Sequence, residues 1–333
     1  MDIHKTTPYP TIAPVPAGVS RPFWSVMIPT YNCAHYLRQT LASVLAQDPG
    51  PERMQIEVVD DCSTKDDPEA VVRELGRGRV AYYRQPKNVG AIGNFNTCVA
   101  RSTGHWVHLL HGDDYVLPGF YESVETAVAR RPDVGMVYTR AFVVDAEGRV
   151  DYLMPSHRVG EEPSNDPSYL LYENILRTPA VVVARAAYES IGGYASNLAH
   201  TADWEMWARL TARCGALGIN EPLVCYRDFS GNDTARLSYN GSRLQHFLDT
   251  AAYFRELHPT FDADRFRRIV VDQASGDLMK PEVARDSEAV DRIRNLVRGV
   301  MRDLSWKPRA LIRLERIQRR LHQLAASALR RLP

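Results

Sequence analysis

From Phe23 onward the chain repeats one unit, a short apolar run, a polar loop and then an amphipathic segment of about ten to fifteen residues, and this alternation restricts the fold more than any other feature. "WSVMIPT", "MQIEVVDD", "RVAYYRQ" and "HWVHLL" read as strands, with "YLRQTLASVLAQ", "DDPEAVVREL" and "AIGNFNTCVARS" as the helices between them. Strands joined by helical crossovers lie parallel and are covered on both faces, so the expected class is α/β, a mixed and mainly parallel sheet flanked by helices. Ligands of such sheets gather outside the carboxyl ends of the strands, so the loops "PTYN", "DDCSTKDD", "QPKNVG" and "HGDD" are expected to share one rim.

After Pro118 the pattern gives a helix ("GFYESVETAVARR"), a strand ("VGMVYTRAFVVD") and a turn ("AEGR"). Residues 151–230 are less regular: "PAVVVARAAYESIGGY" reads as a strand, a short helix and a glycine turn, and "ADWEMWARLTARCG" as a helix whose Met206, Trp207 and Leu210 mark an apolar side. From about Ser238 the chain turns helical and charged with no strand signal, which places a boundary near residue 235. The first 22 residues are rich in proline and lack an apolar core, and so read as an extended arm and not an export signal. The expected organisation is an arm over residues 1–22, an α/β domain over 23–235 and a helical extension over 236–333.

Lys and Arg number 41 against 40 Asp and Glu, a net charge of +1 that gives no global attraction for nucleic acid. Five scattered cysteines without C-x-x-C spacing fit reduced thiols better than a zinc site or a disulfide framework. No run approaches the roughly 18 apolar residues of a membrane span. A cytoplasmic protein is expected.

Three pairs of adjacent aspartates occur, Asp60–Asp61, Asp66–Asp67 and Asp113–Asp114. Asp66 and Asp67 fit a solvated turn before a helix, where carboxylates suit the dipole. The other two pairs end apolar strands, where repulsion and burial need compensation by a cation or by hydrogen-bond donors. A hard divalent ion with oxygen ligands is one such compensation.

The ordered series "VMIPTYN", "EVVDDCSTKD", "NVGAIGNFN…GHWVHLLHGDDYVLPG" and "ADWEMW" resembles glycosyltransferase family 2, inverting enzymes that use nucleotide-sugar donors. The resemblance covers residue 23 to about residue 230 and implies a GT-A, Rossmann-like fold, with a nucleotide-binding half over 23–118 and an acceptor half over 119–235. It places Pro29, Tyr31, Asp61, Asn88, Asn96, Gly112, Asp114 and Arg227 about the nucleotide and donor, with Tyr31 near the base and Asp61 accepting from a pyrimidine ring. It makes Asp113 the carboxylate of a divalent metal, Mn²⁺ or Mg²⁺, with His111 as a further ligand, and Asp203 the general base, with Glu205 the weaker alternative. Plain alternatives stand beside these roles: Asp60 and Asp61 capping their own turn, Asp203 and the asparagines capping helices, Tyr31 as a buried aromatic, His111 as structural and Arg227 as a surface ion pair.

The chain departs from the family pattern at three places: Phe95 stands where an arginine is common, His111 where an aspartate is, and Phe229 where a histidine is. It also lacks the Q-x-x-R-W motif and the spans of processive synthases, so single-sugar transfer is implied, from a UDP-sugar to a glycan or lipid-linked acceptor in cell-envelope polysaccharide or glycoconjugate synthesis. Acceptor-side candidates are His157, Arg158, Tyr172, Asn174 and His200. The last segment, from Trp306, reads as a basic amphipathic helix; packing on the protein, a homodimer contact and peripheral attachment at the inner face of a membrane remain open for it. A sugar nucleotidyltransferase and a degenerate nucleotide- or glycan-binding module are the competing functions. The first lacks its phosphate loop after the first strand, and retention of Asp61, Asp113 and Asp203 weighs against the second. A dinucleotide oxidoreductase is disfavoured because no G-x-G-x-x-G follows that strand.

Overall fold

In the computed structural model, which describes residues 8–155, 162–229 and 241–302, the chain separates into two compact units, residues 1–229 and 230–333. The first is built on β1 (Trp24–Thr30), β2 (Met54–Asp60), β3 (Ala81–Arg84) and β4 (Trp106–Leu109), all parallel in the order β3-β2-β1-β4. Every residue of β1 is buried, as expected of a strand covered on both faces. The crossovers are α1 (Ala34–Leu45), α2 (Pro68–Gly76) and α3 (Gly90–Arg101). Leu37, Leu41 and Val44 of α1 are fully buried, each contributing about 1.5–3 kcal/mol. Truncating Leu41 to alanine would cost about 2–5 kcal/mol through lost burial and the cavity left behind.

The sheet continues through β8 (Val181–Ala184), antiparallel to β4, then β6 (Met136–Val144), β9 (Ala216–Arg227) and β5 (Tyr115–Val116), with β7 (Val150–Leu153) beside β6. β6 and β9 are parallel to each other. β6 is antiparallel to β8 and β8 to β4, so β6 points toward the same rim as β1–β4. Helices α4 (Phe120–Arg130), α5 (Arg185–Ile191) and α6 (Ala202–Cys214) complete the half. β5, β7 and β9 are not among the strands the sequence predicts. In β9 the polar stretch Gly218–Pro222 breaks the apolar pattern, and its pairing with β6 is bulged about Arg140. The apolar side expected for α6 also proves too narrow, since Trp204, Glu205, Arg209 and Thr211 are buried with Met206, Trp207 and Leu210.

The described part of the arm, residues 8–22, runs along the α5–α6 region. Pro10 accepts from Gly193 N–H at 2.8 Å, Ala13 accepts from the Arg185 side chain at 3.1 Å, and Ile12 is buried. The Arg209 guanidinium lies 3.8 Å from the centre of the Tyr9 ring, whose hydroxyl donates to Glu205. All five cysteines are free thiols.

The second unit contains α7 (Arg243–Leu257), α8 (Ala263–Asp277), α9 (Pro281–Arg285) and α10 (Ser287–Arg302). Leu244, Phe254, Phe266, Val270 and Ile293 form its interior, and buried Asp277 pairs with Arg243 and Lys280. Among the described residues no helix is long and apolar enough to cross a membrane. The basic amphipathic segment from Trp306 onward lies outside the described residues, as do His157 and Arg158.

Candidate active site

The four loops after β1–β4 meet on one rim because the strands that carry them are parallel and in register. Asn32, in the left-handed conformation (φ 51°), ties the first loop to the second: its side-chain oxygen accepts from Thr64 and Lys65 N–H, and its own N–H donates to Ser63 Oγ. Helix α1 has no side-chain cap of its own, and Asp66 reaches across from the second loop to take the Ala34 N–H at 2.7 Å. Asp67 caps α2 through Ala70 N–H, with Pro68 in the first turn.

Asp60 is wholly buried and accepts from Ser63, Tyr82 and Arg84, the last at 2.5 Å. Asp61, also buried, accepts from Val89 N–H at 2.7 Å at the start of α3, and burial pushes its pKa up against those backbone donors. Asn88 braces the same corner, donating to the Asp61 carbonyl and accepting from Gly90 N–H. Tyr31 is 48% exposed on the rim, so it is not the buried aromatic of the plain alternative.

The "HGDD" turn packs against the end of β1. Pro29 accepts from Gly112 N–H at 3.0 Å, and Thr40 of α1 donates to the Asp114 carbonyl at 2.7 Å. Position 112 must be glycine because a Cβ there would stand 2.6 Å from Thr30 Oγ1. His111, Asp113 and Asp114 each offer a ligand atom, all within 4.8 Å of one another. Asp114 is 1% exposed: Oδ1 accepts from Arg227 N–H at 2.7 Å, His111 Nδ1 lies 3.4 Å from Oδ2, and neither Oδ2 nor His111 Nε2 has a hydrogen-bond partner. Burial and the neighbouring Asp114 push the Asp113 carboxyl up to about 7. Burial would lower the His111 pKa, but Asp114, Asp113 and Asp203 together raise it.

Two of the departures from the family pattern meet here. The Phe95 ring stacks on His111 with centroids 5.0 Å apart and an 18° tilt. Phe229, the third, packs on Tyr36.

Two residues expected at the donor are bonded within the protein. Arg227 is buried, with Nε on the Asp113 carbonyl, Nη1 on the Asp145 and Ala146 carbonyls and Nη2 on Gln39, beneath Tyr36. It braces the carboxylate turn from below, so it is not the surface ion pair of the plain alternative. Asn96 donates to the Tyr194 carbonyl and accepts from Tyr194 N–H, a two-point bracket from α3 to the loop that leads into α6.

Asp203 stands in the first turn of α6. Its Oδ1 accepts from Trp204 N–H and its Oδ2 from the Asn174 side chain at 3.2 Å. Burial raises its pKa, against those bonds and the charges of Arg177 and His111. Glu205 is buried in an ion pair with Arg209 at 2.8 Å, which removes it as a base. Tyr172 and His200 are both partly buried. Sequence reasoning missed Arg140 and Arg177 near this side. The signal for Arg140 was a charge inside the otherwise apolar run "VGMVYTRAFVVD".

A model of the family described as Glycosyl transferase family 2 matches residues 25–190. An uncharacterized protein of Mycobacterium tuberculosis (strain CDC 1551) is 27% identical over 235 residues, 67% of this chain and 72% of that protein. Three further relatives, each called an uncharacterized glycosyltransferase, are matched over 63%, 59% and 66% of their own lengths, so the chain spans less than two thirds of them. Among solved structures, S. aureus TarS 1–349 in complex with UDP-GlcNAc has a TM-score of 0.55 at 14% identity, covering 85% of this chain and 93% of that one. The mannosyltransferase PcManGT from Pyrobaculum calidifontis, in complex with GDP-Man and Mn²⁺, has a TM-score of 0.51 at 17% identity, covering 97% and 84%. At these identities the two structures establish a shared GT-A fold.

Proposed function

Because the chain belongs to glycosyl transferase family 2 and is a glycosyltransferase, we propose that it moves one sugar from a UDP-sugar to a hydroxyl of a glycan or lipid-linked acceptor, with inversion and with a divalent cation on the donor diphosphate. The observation that carries this reading is the His111–Asp113–Asp114 turn, whose ligand atoms all lie within 4.8 Å of one another, together with Asp203 held by Asn174 and Trp204 N–H. The UDP-GlcNAc bound to TarS and the Mn²⁺ and GDP-Man bound to PcManGT support a nucleotide-sugar donor and a cation.

The residues present fit a divalent ion, since Asp114 Oδ2 and His111 Nε2 have no hydrogen-bond partner and burial, with the neighbouring Asp114, raises the Asp113 pKa, a strain a cation would relieve. Asp113, Asp114 and His111 would hold it. Bound Mn²⁺ or Mg²⁺ offsets the charge that develops on the departing diphosphate. Tyr31 and Asp61, which follow the ends of β1 and β2, are the residues this reading assigns to the base of the nucleotide.

The chain's own chemical contribution is Asp203. As the acceptor oxygen bonds to the anomeric carbon and the bond to the diphosphate oxygen breaks, the hydroxyl proton passes to the Asp203 carboxylate. Asn174 and Trp204 N–H fix the orientation of that carboxylate. Its burial raises its proton affinity, which makes it a better base than a free aspartate.

The test is a donor screen. The full chain is incubated with UDP-, GDP- and other nucleotide sugars with Mn²⁺ or Mg²⁺, nucleoside diphosphate release is followed, and the anomeric configuration of the product is read by NMR. Release from a UDP-sugar with inverted configuration is expected. Silence with every donor, with and without acceptor-containing extract, would leave only a binding module, and a retained configuration would remove Asp203 from its role.

A further inference from the structure

A small pocket of about 20 Å³, open to solvent, is lined by Arg140 and Arg177 together with Tyr138, Met154 and Leu176. Its position follows from strand register. Val183 of β8 pairs with Val107 of β4 on one side and Met136 of β6 on the other. Counting on toward the rim, His111 and Arg140 stand at about the same height, two strand spacings or about 10 Å apart. The segment Asn174–Ala180, which feeds the start of β8, fills the rim between them.

Arg140 sits at the bulge between β6 and β9, a device that re-aims a side chain. Its Nη2 donates to the Met154 carbonyl at 3.0 Å, while its Nε is buried with no partner. Arg177 donates to the Asn174 and Leu176 carbonyls, and its guanidinium lies 5.4 Å from the centre of the Tyr226 ring. Neither guanidinium forms an ion pair with a carboxylate among the described residues. Asn174, the residue whose carbonyl receives Arg177, is also the residue that donates to Asp203, and its own Oδ1 is buried without a partner.

The charge of Asp203 reaches Arg177, but neither arginine is in an ion pair among the described residues, and guanidinium groups lining one pocket match planar or tetrahedral oxyanions. We propose that Arg140 and Arg177 hold an oxyanion of the acceptor, a carboxylate or a phosphate carried within about one sugar or polyol unit of the attacking hydroxyl. This rests on the reading of the Asp203 side as the acceptor side and narrows the acceptor to an anionic chain. Arg177 and Asn174 then link recognition of that anion to the orientation of the base.

The experiment is an NMR titration of the full chain, its donor side filled with UDP and Mn²⁺, using three probes at one ionic strength: methyl β-D-glucuronide, glycerol 3-phosphate and neutral methyl β-D-glucoside. At least one anionic probe is expected to bind about tenfold tighter than the glucoside, with the carboxylate and phosphate arms identifying which group is read. Arg140→Gln and Arg177→Gln should each erase that preference while UDP affinity and melting temperature stay near the native values. The proposal is overturned if all three probes bind alike, or if the preference survives in both variants and so belongs to another part of the surface. UDP affinity is measured separately in the same samples. Its absence would sink the donor reading, and the probe comparison would still decide the anion.

Discussion

The two halves of the sheet treat charge in opposite ways. In the half built on β1–β3, buried or loop carboxylates are met by protein donors: Asp60 by Ser63, Tyr82 and Arg84, Asp61 by Val89, Asp66 by Ala34 and Asp67 by Ala70. From the end of β4 onward the polar groups are left short: His111 Nε2, Asp114 Oδ2, Asn174 Oδ1 and Arg140 Nε are buried without partners. Buried polar atoms are ordinarily satisfied; Arg185 Nη1, Glu189 Oε1 and Trp207 Nε1 on α5 and α6 are further exceptions in this half, and a ligand is called for at the carboxylate turn, where three ligand atoms converge. On the proposed reading the satisfied half cradles the nucleotide, and the cation and the chemistry fall to the other half.

The contrast breaks most visibly at Asp113. Asp113→Ala should sharply lower transfer in an assay of nucleoside diphosphate release, because it removes one of the two carboxylates that, with His111, would hold the cation against the diphosphate. Next in size, Asp203→Asn should lower kcat by about 10² to 10⁴, the range for general-base removal. A kcat within a factor of two of native would take the base role away from Asp203. On the satisfied side the same kind of change should act on stability. Asp60→Ala strips the acceptor from donors on three residues and should cost about 2–4 kcal/mol in chemical denaturation, with the folded fraction still turning over.

The smallest effect sharpens the comparison by sign. Burial raises the folded pKa of Asp203 above its unfolded value, so its contribution favours folding below the ordinary aspartate range and is lost as pH climbs through the raised value. Asp203→Asn should therefore raise the melting temperature at pH 8 by about 2 °C, and the gain should vanish near pH 4. A variant less stable than native at both pH values would mean that Asp203 is a cap and not a strained functional carboxylate.

The parallel half was legible in the sequence because its strands are continuous apolar runs and its helices are amphipathic, two periods that do not mimic each other. β9 was not, because its polar middle faces a bulged neighbour, and a pairing so far apart in sequence leaves no local mark. Within the site, the positions of Asp61 and Asp113 follow from where apolar runs stop, whereas Asp203 was reached through the family resemblance. The work done by Arg227 and Asn96 follows from neither. A buried arginine bonded to carbonyls from three separate segments, or an asparagine bridging to Tyr194, is a tertiary fact that neither spacing nor composition encodes. Phe95 and His111 each looked like a loss from the family pattern, whereas the stacked pair shows that the two departures share one contact.

The most direct test of the divided site is calorimetric titration of the UDP-sugar found in the donor screen into native protein, Asp113→Ala and Asp203→Asn, each with and without Mn²⁺. Native protein and Asp203→Asn should bind the donor with similar affinity and only when Mn²⁺ is present, while Asp113→Ala should bind weakly and without regard to the ion. Equal, metal-dependent binding by Asp113→Ala would contradict the assignment of cation and base to these two carboxylates.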